Sequence, residues 1–320
     1  MVVDPPTGVG APPPTLVVGG TGHVGAALCL HLAGRGRRVV ATSRRPSPGF
    51  GHPGIEEARL DLHHPTDDLP NDLRPSTAVV SPWVLEGEAD PEWLDRLLEN
   101  LVGTGLRTVV SFSTVWVYGD SLAGTVTEAT EPMPSNAYGA AHLANERTLE
   151  RTAGRLGLDV AVFRMTNLVG ADPFHAPRSR REGAKVSFTH DLAAMALHDD
   201  RIVLRSPPST ERDLLARGLL HHRIDGLLAR PTVPGRYEAF NVGGGRTTTM
   251  GEFARTVAEA ASRYHGRPVA IEHPDDQAGL PAFDLDSSRI EEVAGPHPND
   301  LAHEVSLVID DVLAAGGGNR

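Results

Sequence analysis

Cysteine is all but missing: Cys29 is the single thiol in 320 residues. An intrachain disulfide is therefore impossible and no cysteine cluster can form around a metal, a composition that fits a reducing compartment and predicts a cytoplasmic protein. Apolar runs long enough to cross a bilayer are also missing, and the opening MVVDPPTGVGAPPP has neither the basic start nor the hydrophobic stretch of a signal peptide. Residues 1–14 read as a disordered leader, and the glycine-rich end as a tail that frays over 316–320. Nor is there an excess of positive charge. The formal net charge of -11 argues against a nucleic-acid partner. Paired histidines at 63–64 and 221–222 invite a metal reading, but neighbours in a helix or strand point apart and no carboxylate cluster accompanies them, so no metal is expected.

What the chain does have is bulk and alternation. With 40% apolar residues it can bury a sizeable core, and its length suits one large or two modest domains. Short β-branched runs, TLVV at 15, RRVVAT at 37, TAVVS at 77, RTVVSFS at 107 and DVAVFRM at 159, alternate with amphipathic stretches of helix length. The pattern predicts an α/β fold, a doubly wound parallel sheet with helices on both faces. It weakens after Gly170, where Pro, Arg and Ser accumulate up to Asp213, and helical periodicity then returns. EAFNV at 238 reads as a last strand. No internal repeat stands out.

One motif carries chemistry on its own. In TLVVGGTGHVGAALCLHLAGRG a strand runs through glycines 19, 20, 22 and 25 directly into a helix. Glycine permits the tight turn and the close backbone approach, and the helix N-terminus, at Gly22, His23, Val24 and Gly25, presents N–H groups to a pyrophosphate. This strand–turn–helix context is that of a Rossmann-type dinucleotide site. At the end of the second strand an acid would bond the ribose 2′-OH of NAD, whereas an arginine accommodates the 2′-phosphate of NADP. Ser43, Arg44 and Arg45 stand there and no acid does, which favours NADP(H) over NAD(H); two arginines decorating an exposed loop is the alternative. ARLDL at 58–62 reads as a third strand that brings Asp61, with Leu62 beside it, toward the adenine. The expected organisation is an NADP-binding Rossmann domain over 15–170 and a mainly substrate-binding region over 171–315, with 236–245 returning to the first sheet.

Together with SFSTVWVYG at 111, YGAAH at 138, FRMTNLVG at 163, ERDLL at 211 and FNVGGG at 240, the glycine motif resembles the extended short-chain dehydrogenases/reductases, the NAD(P)-dependent epimerase/dehydratase type, from about residue 15 onward. The resemblance implies that Thr114 hydrogen-bonds a reacting carbonyl and that Tyr138 exchanges a proton with it. It implies substrate contacts from Ser113, Trp116, Asn167 and Arg212, the last pairing with a diphosphate; an internal ion pair is the other reading of Arg212. Tyr118 is read as packing. The amphipathic PEWLDRLLENLVGTG at 91 sits where family helices often build a homodimer, although a core-facing helix has the same pattern.

The departures narrow the chemistry. Val115 and Trp116 follow the threonine where the dehydratases carry an Asp-Glu pair, and neither can move a proton. SPW at 81–83 and LLARGLL after Asp213 also differ from the family pattern. Most telling is His142, four residues after Tyr138, where the resemblance calls for lysine. Histidine can hold the nicotinamide ribose, but with an ordinary pKa near ~6.5 it is mostly neutral at pH 7 and lowers the tyrosine pKa poorly. Protonated tyrosine is an acid, which suits ketone reduction. The expectation is an NADPH-dependent ketoreductase with Thr114, Tyr138 and His142 as its catalytic residues. By resemblance its substrate is a nucleotide-linked keto-(deoxy)sugar of the kind reduced in antibiotic biosynthesis. A nucleotide-sugar epimerase and an NADP-binding sensor or scaffold without chemistry are the alternatives.

Overall fold

The structure is a computed structural model that describes residues 12–44, 47, 49–62, 69–70, 72–80, 92–120, 122–174, 187–275 and 283–316. Arg45, the SPW segment, His63 and His64, most of the leader and the last four residues lie outside the described residues. Strand β1 (Thr15–Val18) leads into helix α1 (His23–Gly34), followed by β2 (Val39–Ser43), β3 (Ile55–Arg59), β4 (Thr77–Val80) and α2 (Trp93–Gly103). Strand β5 (Thr108–Thr114) ends in a 3-10 turn over Val115–Tyr118, and β6 (Gly124–Val126), α3 (Ala137–Leu156), β7 (Asp159–Met165) and β8 (Asn167–Val169) come next. The rest comprises α4 (Phe188–His198), β9 (Arg201–Val203), β10 (Glu211–Ala216), α5 (Arg217–Ala229), β11 (Tyr237–Val242) and β12 (Thr247–Thr249). It closes with α6 (Met250–His265), β13 (Ala270–Glu272), β14 (Phe283–Leu285), α7 (Ser288–Ala294) and α8 (Leu301–Gly316).

Seven strands make one parallel sheet in the order β3-β2-β1-β4-β5-β7-β11, the doubly wound arrangement that the alternation predicts. Strands β1 and β4 are buried along their whole length, as strands covered on both faces must be. Their side chains alternate between two cores. Val17, Val79, Val110 and Phe163 pack with Leu28 and Leu32 of α1 and Leu219 of α5. Leu16, Val80, Val109 and Val160 face the other way, onto Leu94 and Leu97 of α2 and Leu149 of α3. The strand order reverses between β1 and β4, and the carboxyl ends of two such strands are where doubly wound sheets place a ligand crevice.

The later segments build a separate core from Val169, Leu197, Ile202, Leu214, Phe253, Val257 and Val308. Over it lies a small sheet in which β10 pairs with β8 and β12. Strand β11 leaves this region and pairs along β7, from Tyr237 beside Val160 to Val242 beside Met165. Helix α2 spends its apolar side on the core, with Trp93, Leu94, Leu97, Leu98 and Leu101 all buried. Among the described residues no helix is long and apolar enough to cross a membrane.

The third strand differs from the sequence reading. It runs over Ile55–Arg59, so that Asp61 and Leu62 follow it instead of ending it. Its glutamates Glu56 and Glu57 are exposed on the outermost strand of the sheet, where charge blunts an open edge and hides the apolar alternation.

Candidate active site

At the carboxyl end of β1, Gly19 turns the chain at a φ of +76°, and the Gly22 amide donates to its carbonyl at 3.0 Å. The Gly20 amide donates to Thr42 of β2 at 2.8 Å. A Cβ on Gly25 would lie 2.3 Å from the Gly19 oxygen, and one on Gly20 2.8 Å from Ala41. Only glycine lets the turn close this far onto α1 and β2. The first turn of α1, with half-buried His23 and Val24, therefore directs its free N–H ends and the positive end of its dipole at the mouth of the crevice. These residues fit a dinucleotide pyrophosphate. Half-buried Ser43 ends β2 in register with Arg59 of β3, exposed Arg44 follows, and half-buried Asp61 and Leu62 come just after β3. All four thus stand at the same carboxyl edge of the sheet as the glycine turn.

Cys29 lies on this helix but is no nucleophile. It is fully buried, its thiol points at the Gly20 carbonyl at 3.7 Å, and burial pushes its pKa up to about 12.

Thr114 is the last residue of β5, and its hydroxyl accepts from the Trp116 amide at 3.3 Å, which starts the 3-10 turn. Helix α3 begins beside that turn because Asn136 caps it, accepting from the Gly139 amide at 2.9 Å. Gly139 allows the close approach: a Cβ there would sit 2.3 Å from the Trp116 carbonyl oxygen. Tyr138, next to it, is thereby held against the strand end, where its hydroxyl and that of Thr114 are hydrogen-bonded. Burial raises the Tyr138 pKa above its ordinary value, and the Thr114 bond only partly offsets this. One turn on, His142 is 5% exposed and meets the Tyr138 ring edge to face, with centroids 4.6 Å apart at 71°. Burial lowers the His142 pKa to about 4, against the smaller opposing effect of its bond to the Phe112 backbone. The imidazole is neutral at pH 7.

Another turn along α3 the face becomes fully buried and charged. Glu146 accepts from the Ser113 hydroxyl at 2.5 Å and from two nitrogens of Arg164, the shorter contact being 2.7 Å. Arg164 also donates to the Tyr118 hydroxyl at 2.8 Å, which in turn donates to Asn241 of β11 at 2.7 Å. Tyr118 is thus a polar link between strands as well as a packed ring. Ser113, expected at the substrate, has its hydroxyl committed to Glu146 inside the fold. The sequence reading missed Glu146, Arg164 and Asn241. A detectable sign was Arg164 within the apolar run DVAVFRM, since a buried charge needs a partner.

Of the remaining predicted residues, Trp116 is 42% exposed on the 3-10 turn. Asn167 is exposed at the start of β8, two residues past Met165, the register partner of Thr114. Arg212 lies on the neighbouring β10, half-buried, donating to its own neighbour's carbonyl at 2.8 Å. The next residue, Asp213, accepts from the Gly244 amide at 2.6 Å and from Thr166 at 3.2 Å, tying ERD to the glycines after β11. His221 and His222 diverge onto His31 and His297, and among the described residues no three metal-ligand side chains converge.

Residues 88–243, which span this arrangement from α2 to β11, match the NAD dependent epimerase/dehydratase family. The segment belongs to that family. Similar curated proteins include the uncharacterized protein y4nG of Sinorhizobium fredii, 32% identical over 48% of this chain and 41% of its own length. The UDP-glucose 4-epimerase of Halalkalibacterium halodurans is 23% identical over 85% of this chain and 86% of its own. That of Streptomyces lividans is 30% identical over 49% and 53%. The chain spans 41% and 47% of the length of the first two curated relatives it matches. Among solved structures, MoeE5 in complex with UDP-glucuronic acid and NAD superposes with a TM-score of 0.71 at 23% identity, over 94% of this chain and 99% of that one. A UDP-N-acetylglucosamine 4-epimerase of Methanobrevibacter ruminantium, in complex with UDP-N-acetylmuramic acid, gives 0.76 at 14% identity, over 94% and 98%. At these identities the likeness establishes the fold shared with the family's epimerases.

Proposed function

We propose that this protein is a nicotinamide-dependent oxidoreductase that reduces a keto group on a nucleotide-linked sugar. That it is a nucleotide-sugar enzyme of the epimerase/dehydratase type is supported by the family match and by relatives named as UDP-glucose 4-epimerases. One observation carries the reductive direction: half-buried Tyr138 packs against a buried, neutral imidazole where the family pattern would place a lysine. When bound, the nicotinamide supplies hydride to the carbonyl carbon. Thr114 then hydrogen-bonds the carbonyl oxygen, Tyr138 delivers the proton to it, and His142 holds the ribose without adding charge. Glu146, the nearest carboxylate along α3, has both oxygens engaged by Arg164, which balances its charge there instead of at His142. Asn167 and Arg212, on paired strands beyond the catalytic end of β5, are assigned to the substrate diphosphate. Arg44, with no acid at the end of β2, supports NADPH as the preferred donor. A homodimer and a role in antibiotic biosynthesis belong to the same proposal; sedimentation equilibrium tests the first.

A 4-epimerase is the second reading, favoured by relatives of that name that match across most of the chain. Epimerisation begins with oxidation and therefore needs an accessible tyrosinate. The two part in one assay at pH 7: uridine- and thymidine-diphosphate 4-keto-sugars with NADPH or NADH, against UDP-glucose with the oxidised cofactors. Reduction well in excess of oxidation supports the reductase, whereas interconversion of UDP-glucose and UDP-galactose at comparable rates replaces it with the epimerase.

A further inference from the structure

A second buried polar cluster lies behind the glycine turn, and the chemistry above makes no use of it. Its centre is Arg217, the first residue of α5, which is 7% exposed. One guanidinium nitrogen contacts His23 Nε2 at 3.0 Å and the His23 carbonyl at 3.5 Å; the other donates to the Ala171 carbonyl just past β8. The stem packs on Gly170, where a Cβ would meet the guanidinium at 2.8 Å, so the chain there leaves room for this side chain. Asp172, which is 3.8 Å from His23 Nδ1, and Glu304 and Asp311 of α8 surround the charge, and Arg217 Nε has no partner. Asp311 accepts from the Asp172 amide at 2.7 Å and bonds the His190 ring at 2.9 Å. His190 packs edge-on against His23, with ring centroids 5.7 Å apart.

His23 is the opening residue of α1, so its backbone is part of the turn that faces the pyrophosphate. A buried guanidinium held between His23 and the Ala171 carbonyl is a rigid anchor, because moving it would strand a desolvated charge. With acidic groups around it, Arg217 contributes through the geometry of the turn more than through net field. We propose that Arg217 is a cofactor-positioning residue, which bolts the first turn of α1 to the end of β8 so that the pyrophosphate finds its N–H donors already in place. The proposal rests on the dinucleotide reading of the glycine turn.

The probes are ADP-ribose, which carries the pyrophosphate, and adenosine, which does not, titrated by calorimetry against the full chain. Arg217→Met keeps the volume of the stem and removes the donors. The expected result is a loss of roughly tenfold in ADP-ribose affinity, the scale of a charge-assisted contact, with adenosine affinity unchanged within about twofold. His23→Phe, which removes the ring acceptor at a partly exposed position, should give a smaller loss of the same selectivity and keeps the test open where Arg217→Met fails to fold. Equal losses for both probes, or no loss for either, would overturn the positioning role. Failure of the wild type to bind ADP-ribose would instead withdraw the dinucleotide reading itself.

Discussion

A tyrosine serves as a base only as far as its phenolate is populated, and around Tyr138 the structure places a threonine hydroxyl and an uncharged ring. Oxidation of an alcohol substrate should therefore rise about tenfold per pH unit above neutrality, while reduction stays nearly flat. His142→Lys should add the missing charge and raise oxidation at pH 7 by at least about tenfold, and Tyr138→Phe should abolish both directions. The pH–rate profiles of wild type and His142→Lys decide this, and a wild-type midpoint near neutrality would contradict it. Arg44→Ala should cost NADPH roughly tenfold in affinity and leave NADH unchanged; equal dissociation constants for the two cofactors in the wild type would remove the assignment. Glu146→Ala leaves Arg164 buried without its carboxylate, so urea unfolding should show about 3 to 5 kcal/mol of lost stability.

At the scale of the elements, the contact between Tyr138 and Thr114, catalytic on the proposed reading, depends on how tightly α3 sits on the 3-10 turn. Gly139→Ala would drive a methyl into the Trp116 carbonyl and push the two apart, separating Tyr138 from Thr114. The helical circular dichroism should persist while turnover drops by an order of magnitude or more, since misplacement by about 1 Å can cost about a hundredfold. These elements differ in how far the sequence reveals them. Strand β1, the glycine turn and α1 are legible because local chemistry dictates them: β-branched residues, glycines where no Cβ fits, then a helix start. Strand β3 is displaced from its reading because an edge strand carries charges in place of an apolar stripe. The spacing of Tyr138 and His142 on one helical face is visible in five letters, but the charge of His142 follows from burial, which only packing creates. Arg164 announces a buried charge; that Glu146, on a helix crossing its strand, answers it depends on where α3 lies over the sheet.

For the whole molecule, buried neutral histidines set the response to acid. Burial holds His142 at about 4 and His221 at about 3, below the 6.5 of the unfolded chain. The unfolded state therefore binds more protons over this range, so the stability these groups contribute is present above pH 6.5 and lost as pH falls toward 4 and 3. For His142 the loss amounts to roughly 3 kcal/mol. Asp213 acts oppositely: burial raises it to about 6, so its contribution is present below 3.8 and lost as pH rises through 6, and between those values it offsets part of the histidine effect. The melting temperature should fall from pH 6.5 to 4, and the fall should be shallower in His221→Phe. A melting temperature independent of pH over that interval would show that these imidazoles are not buried neutral.

The late return of β11 also bears on how the chain is made. Strand β7 is paired on one side by β5, but its other side is closed only by Tyr237–Val242, which also carry Phe240 and Val242 into the core and Asn241 to Tyr118. A ribosome that has just released Met165 has produced most of a sheet with an open, apolar-flanked edge, and at translation rates of roughly 5 to 20 residues per second that edge waits on the order of 4 to 15 s for Val242. During that interval β7 is a template for any extended segment nearby. Nascent chains stalled between these two points should accordingly recruit chaperones, and those extended past Val242 and clear of the exit tunnel should release them.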